Sequence, residues 1–159
     1  MDAKNILKDL IQFNTIKDKE NTQIIKFIEN ILKQKGFKTE YKSKCLVMSI
    51  KEKYNLGFLG HTDTVEFNND WTNNPFEMQE KEGKLYGLGI CDMKGGIAAI
   101  IAAVLQTDWE KINYGMKLYF TYDEELYFSG INELIKKQEK FPDNMIIGEP
   151  TNNILMERK

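Results

Sequence analysis

The apolar residues of this chain follow two spacings that take turns along it, and that alternation restricts it to a small group of folds. Ile6, Leu7, Leu10 and Ile11 share one face of a helix, and Ile24, Ile25, Ile28, Ile31 and Leu32 share one face of a second, with Gly36 as its stop. Phe37, Thr39 and Tyr41 then alternate with charged residues, as in a strand. The runs "CLVMSI" and "NLGFLG" read as two further strands joined by the polar stretch Lys51 to Asn55. A long Asn-rich loop from Thr62 to about Glu82 holds Trp71 and Pro75, and its length predicts a functional loop. Trp71 and Phe76 either line the mouth of a cleft there or pin the loop down. "KLYGLG" is a short strand or turn.

Gly95 to Leu105 is apolar on nearly every side and predicts a buried helix. "MKLYFTY" is apolar enough for a strand inside a sheet, Ile131, Leu134 and Ile135 mark another helix, "MIIG" is a last central strand, and "NILMERK" opens an element left unfinished. Helices interleaved with apolar strands predict an α/β fold, a three-layer sandwich on a mixed, largely parallel sheet. With 159 residues the chain suits one hydrophobic core.

Charge narrows the partners. Lys and Arg number 22 against 24 Asp and Glu, so there is no electrostatic case for a nucleic acid or a membrane surface. The longest apolar run, Ile97 to Leu105, falls short of the ~20 residues that span a bilayer. The opening "MDAKNILKDLIQFN" lacks the apolar core of a secretion signal, so a soluble cytoplasmic protein is expected. Cys45 and Cys91 make no disulfide framework, and Cys91 reads as a small packing residue before a helix in preference to a metal ligand.

The ends of the strands carry the chemistry. "LGFLG" runs into His61 and Asp63, "MKLYFTY" into Asp123, Glu124 and Glu125, and "MIIG" into Glu149, while Asp92 stands just before the buried helix. Ligands of open α/β sheets bind outside the carboxyl ends of the strands. If these strands are parallel neighbours, their acids meet in one crevice, where like charges a few ångströms apart cannot all stay ionised. A divalent cation relieves that repulsion, and carboxylates with one imidazole and no thiolate cluster suit zinc, manganese or cobalt. Taken singly, each residue also has a plainer reading. His61 could be an ordinary core or surface residue, Asp92 a helix cap, "DEE" a solvated helix start and "GEP" a turn. Lys94 with Gly95 and Gly96 lacks the phosphate-loop spacing and reads as close helix packing.

Together and in order, "LGHTDTV", "YGLGICDMKGG", "DEE" and "IIGEPT" resemble the family of co-catalytic zinc aminoacylases and carboxypeptidases. That family includes acetylornithine deacetylases, succinyl-diaminopimelate desuccinylases and dipeptidases. "W..NPF" and "KLYGLG" at similar spacing make the acetylornithine deacetylase members the most alike. The resemblance implies a zinc-peptidase-like catalytic domain with two Zn2+ ions, for which Co2+ or Mn2+ could substitute. It implies His61, Asp92 and Glu149 as ligands of one metal, Asp92 as the bridge, and Glu125 on the second metal. Glu124 would be the general base, and Asp63 would accept the other ring N–H of His61 and fix its tautomer.

The implied activity is hydrolysis of the amide bond of an N-acyl amino acid, first N-acetyl-L-ornithine to ornithine and acetate in arginine biosynthesis. The alternatives are a desuccinylase or dipeptidase of the same family, or a truncated fragment that binds metal without turnover. Family members also bring a further His ligand late in the chain and a lid domain that makes a homodimer, and this chain has one histidine. Residues 1–159 are therefore expected to be the N-terminal part of the metal-binding catalytic domain, truncated, with the lid and the C-terminal catalytic segment absent. The edge after Glu149 is expected to expose apolar surface. The sequence departs from the family in Glu66 where Pro is frequent, in Leu88 within "GLG" where many relatives have "GRG", and in the aromatic "LYFSG" after Glu125.

Overall fold

The computed structural model describes residues 1–17, 21–152 and 154–157. The first two periodic segments form α1 (Ala3–Ile11) and α2 (Asn21–Lys33). The Asp2 carboxylate accepts the Asn5 amide at 2.8 Å and so satisfies one of the donors that a helix start leaves unpaired. Gly36 follows α2 at φ 85°, a left-handed value that costs a residue without Cβ little. Next come β1 (Lys38–Lys42), β2 (Cys45–Ile50) and β3 (Tyr54–His61). The long loop after β3 does not run unbroken to Glu82, because its end supplies β4 (Gln79–Lys81), which pairs with β5 (Lys84–Tyr86) in a small hairpin. A π-type turn at Ile90–Lys94 leads into α3 (Gly95–Gln106), followed by β6 (Gly115–Thr121), α4 (Ser129–Lys136) and β7 (Asn144–Ile147). Of the expected final element, residues 154–157 form neither helix nor strand, and residues 153, 158 and 159 lie outside the described residues.

The five longer strands make one mixed sheet in the order β1-β2-β6-β3-β7. β1 with β2 and β2 with β6 are antiparallel, whereas β3 is parallel to both its neighbours, β6 and β7. Side chains along a strand alternate between the two faces. Leu46, Met48, Ile50, Phe58, Met116, Leu118 and Phe120 therefore fall in the cluster formed with α1, α2 and α3. Cys45, Val47 and Tyr119 fall in a smaller cluster with Leu134 of α4. Helices on both faces complete the three layers.

The two crossovers explain why the helices divide. From β3 through α3 the chain moves one way to β6, and from β6 through α4 it moves back across β3 to β7. Crossovers between parallel strands are right-handed, so opposite directions require opposite faces. The sheet changes winding direction at β3, and in open α/β sheets that is where a crevice forms at the carboxyl ends of the strands. Among the described residues, no helix is long and apolar enough to cross a membrane.

Candidate metal centre

Strand register brings the site together. His61 pairs with Thr121 of β6, so Glu124 and Glu125 lie three and four residues beyond the level of His61. Leu59 pairs with Ile147 of β7, so Glu149, two residues further on, comes level with His61 on its other side. Asp92 arrives from the turn before α3, which Gly89 enters at φ 76° and in which the Asp92–Met93 peptide bond is cis. The start of α3 lies close under the end of β7: a Cβ on Gly96 would stand 2.7 Å from the Gly148 carbonyl oxygen. That close approach makes glycine the only fit at position 96, as the packing reading of "KGG" expected, and keeps Asp92 and Glu149 together.

All six residues singled out from the sequence meet around one imidazole. His61 is 2% exposed, and its Nε2 faces Asp92 Oδ1 at 2.9 Å, Glu149 Oε1 at 3.7 Å and Glu124 Oε2 at 3.9 Å. Its Nδ1 lies 3.0 Å from the Asp63 carbonyl oxygen and 3.6 Å from the Asp63 carboxylate. A carbonyl can only accept, so Nδ1 carries a proton; without a metal Nε2 carries the second and donates to Asp92, and a cation would take its place on the Nε2 lone pair. The tautomer is thus set by the backbone of Asp63. Its carboxylate is employed elsewhere: Oδ2 accepts the Glu125 amide at 2.9 Å, and Oδ1 is buried with no hydrogen-bond partner.

Charge in this cluster is unbalanced. Burial opposes a charge on His61, but the Asp63 and Glu149 carboxylates outweigh it and push the imidazolium up to about 11. Burial raises Glu124 and Glu125 above the ordinary carboxylate range. Like charges add to this, from Glu149, Asp63 and Asp92 on Glu124 and chiefly from Asp92 on Glu125, while His61 opposes. Burial would raise Asp63 as well, but His61 and the amides of Glu125 and Glu124 hold it below its ordinary value. Two sets of donors, His61–Asp92–Glu149 and His61–Glu124–Glu125, each have their candidate atoms within 4.8 Å of one another. Oxygen and imidazole donors without thiolate suit a borderline divalent cation. The excess of clustered carboxylate is what such a cation would relieve, so the residues fit a divalent metal.

A cavity of about 220 Å³ opens beside the cluster, with Leu59, Phe128, Ile131 and Ile147 as its apolar wall and Glu124 and Glu149 at its end. A second, of about 280 Å³, lies on the Asp92 and Glu125 side. In the long loop Phe67 makes edge contacts with both Trp71 and Phe76, so the aromatic residues pin the loop to itself. Trp71 lines a separate cleft formed by the loop and Tyr86, and neither it nor Phe76 lines the two cavities beside the cluster.

Three residues named from the sequence turn out to do something other than their position suggested. Asp123, grouped by position with the strand-end acids, is fully buried and turned into the start of α4. Lys94 is 1% exposed and donates to the Phe13 carbonyl at 3.0 Å, tying the turn that carries Asp92 to the segment after α1. Its only signal was a lysine opening an otherwise apolar helix. Cys91 is exposed, not packed inside before the helix; it lines the cavity on the Asp92 and Glu125 side and belongs to neither donor set.

The fold and the donors together define an α/β protein with a candidate centre for divalent cations at the ends of its parallel strands. The model of peptidase family M20/M25/M40 matches residues 57–156, and the chain belongs to that family. It is similar to the acetylornithine deacetylases of Pasteurella multocida (strain Pm70), at 38% identity, and Proteus mirabilis (strain HI4320), at 39%. Each match runs over 146 residues and covers 84% of this chain, which spans 37% of the length of those curated relatives. Among solved structures it is similar in fold to human carnosine dipeptidase 1, with a TM-score of 0.80 and 20% identity over 91% of this chain and 38% of that one. A dinuclear metal binding peptidase of the M20 family from Bacillus subtilis aligns with a TM-score of 0.65 and 17% identity, over 91% of this chain and 41% of that one.

Proposed function

We propose that the protein hydrolyses the amide bond of an N-acyl amino acid, with N-acetyl-L-ornithine as substrate, using two divalent cations, zinc before cobalt or manganese. The observation that carries this reading is the convergence of Asp92, Glu124, Glu125 and Glu149 on His61 Nε2 at the winding reversal of the sheet. His61, Asp92 and Glu149 would hold one cation, and Asp92 with Glu125 would share the second. Such cations polarise the amide carbonyl and acidify water. Glu124 accepts the proton of the attacking water and returns it to the leaving amine nitrogen; a carboxyl with a raised pKa suits a group that must both take and give up a proton near neutrality. Asp63 keeps the His61 tautomer through its carbonyl and steadies Glu125 through its carboxylate.

The substrate is supported by the likeness to deacetylases, and the 37% span supports reading residues 1–159 as the N-terminal part of the catalytic domain of a homodimer. The test is metal analysis of the whole protein, with hydrolysis of N-acetyl-L-ornithine, N-succinyl-diaminopimelate and a dipeptide run in parallel. Two metals per chain and fastest release of acetate are expected. Failure to hydrolyse any of the three with metal supplied would overturn the reading.

A second reading, metal binding without turnover by these 159 residues alone, is favoured by one observation. The chain has one histidine, and it stands with Asp92 and Glu149, which leaves Glu125 and the shared Asp92 for the second cation. One metal per chain and no hydrolysis would be the result.

A further inference from the structure

We infer that Asp123 is a positioning residue whose buried carboxylate closes the Glu124–Phe128 turn and so fixes where Glu124 and Glu125 stand over the cluster. Three oxygens of this one residue hold the turn. Its carbonyl accepts the amides of Leu126 at 3.4 Å and of Tyr127 and Phe128 at 3.1 Å each. Its Oδ2 accepts the Ser129 amide at 3.0 Å and the Ser129 hydroxyl, and its Oδ1 accepts the Gly130 amide at 3.0 Å.

The arrangement replaces an ordinary helix cap. The residue before α4 is Phe128, which has no side-chain acceptor and sits at φ 53°, a left-handed value that a bulky side chain adopts only when its surroundings impose it. Asp123 supplies the missing cap from six residues upstream. The turn is thereby held at two places by buried carboxylates: Asp123 at its base and Asp63, through the Glu125 amide, at its crest. The chemistry demands a carboxylate at position 123, because donors converge on both of its oxygens. An amide of the same shape would accept at one oxygen and turn an NH2 group toward the other donor.

The closing of the turn does not depend on any metal; its effect on cation binding rests on the function proposed above. Amide hydrogen exchange of the metal-free chain separates the two, with Co2+ titration as the second readout, on the parent and on Asp123→Asn, Ser129→Ala and Leu134→Ala. Leu134 is fully buried in α4 against Cys45, Val47 and Tyr119 and accepts or donates no side-chain hydrogen bond, so its variant reports general loosening of the helix.

In Asp123→Asn the Glu125 amide should exchange on the order of tenfold to a hundredfold faster, Ser129→Ala should show a smaller rise, and Leu134→Ala at matched loss of melting temperature should leave it near the parent. Co2+ affinity at the second equivalent should fall in Asp123→Asn and stay near the parent's in Leu134→Ala. Unchanged exchange at Glu125 in Asp123→Asn, or equal acceleration in Leu134→Ala, would overturn the inference. Faster exchange with unaltered Co2+ affinity would support the positioning role while removing Glu125 from the metal ligands.

Discussion

His61 and the acids around it differ in what their loss should cost, because each touches the cluster differently. Asp92 lies 2.9 Å from Nε2, whereas Glu124, a member of the other three-donor set, stands off at 3.9 Å and is proposed to move protons. Asp92→Ala should therefore weaken metal binding severely, and Glu124→Ala should leave it nearly unchanged while abolishing turnover; calorimetric titration of both variants checks this, and equal loss would refute the assignment.

Proton linkage belongs to the same scale. A cation takes the Nε2 lone pair, which in the metal-free protein holds a proton up to about pH 11. Metal uptake between pH 7 and 9 should release a proton, and apparent affinity should rise with pH, by up to about tenfold per unit. Titrations in buffers of different ionisation enthalpy measure the proton count. That His61, Glu124, Glu125 and Glu149 would meet was legible because they follow strand ends, and Asp92 because it stands just before the buried helix. Asp123 was legible as an acid but not as a cap, since which way a carboxyl turns depends on the conformation of the six residues after it.

The elements follow from periodicity more completely than the site does. Helices α1, α2 and α3 and the buried strands β2, β3 and β6 lie where apolar spacing put them, because a helix or strand with one apolar face has few ways to bury it. The β4–β5 hairpin was half seen: Gln79–Lys81 carries no apolar alternation, and it pairs because Glu82 and Gly83, both at positive φ, form a tight turn. Nothing in the spacing announced the network that ties the end of α4 to the sheet. Glu139, with a side chain 6% exposed, accepts Lys42 at 2.5 Å and Lys117 at 2.6 Å, with the Tyr119 hydroxyl at 3.2 Å.

Burial alone would raise Glu139, but hydrogen bonds from Lys117 and Lys42 outweigh it and hold the carboxyl below its ordinary value. A depressed acid contributes stability above its unfolded pKa, about 4.3, and that contribution is lost as pH falls through the lower folded value. Glu139→Gln should cost about 1–3 kcal/mol at neutral pH by leaving two ammonium groups facing an amide, and the gap from the parent should close in acid. Melting curves of both proteins from pH 7 down to 3 test it.

Taken as a whole, the molecule is covered unevenly. Three helices shield one face of the sheet and one short helix the other, and β7 is an edge strand whose Ile146 and Ile147 are 48% and 57% exposed. Of the three residues that marked α4 in the sequence, Leu134 and Ile131 pack against the sheet and Ile135 is 60% exposed. Ile154, Leu155 and Met156 add further exposed apolar surface close by in sequence, as the sequence led us to expect after Glu149. An edge strand with apolar side chains is a template for association. The 159-residue chain should self-associate at micromolar concentration, and Ile147→Lys should shift it toward monomer; sedimentation velocity of the two settles it, and a monomeric parent would refute it.

The same economy of composition has a practical side. One imidazole in 159 residues sits at the meeting point of every candidate ligand. In a proton magnetic resonance spectrum its ring C–H protons contribute the sole histidine signals, already assigned by arithmetic. The molecule thus carries a built-in reporter, able to register protonation, cation occupancy and substrate approach without a label.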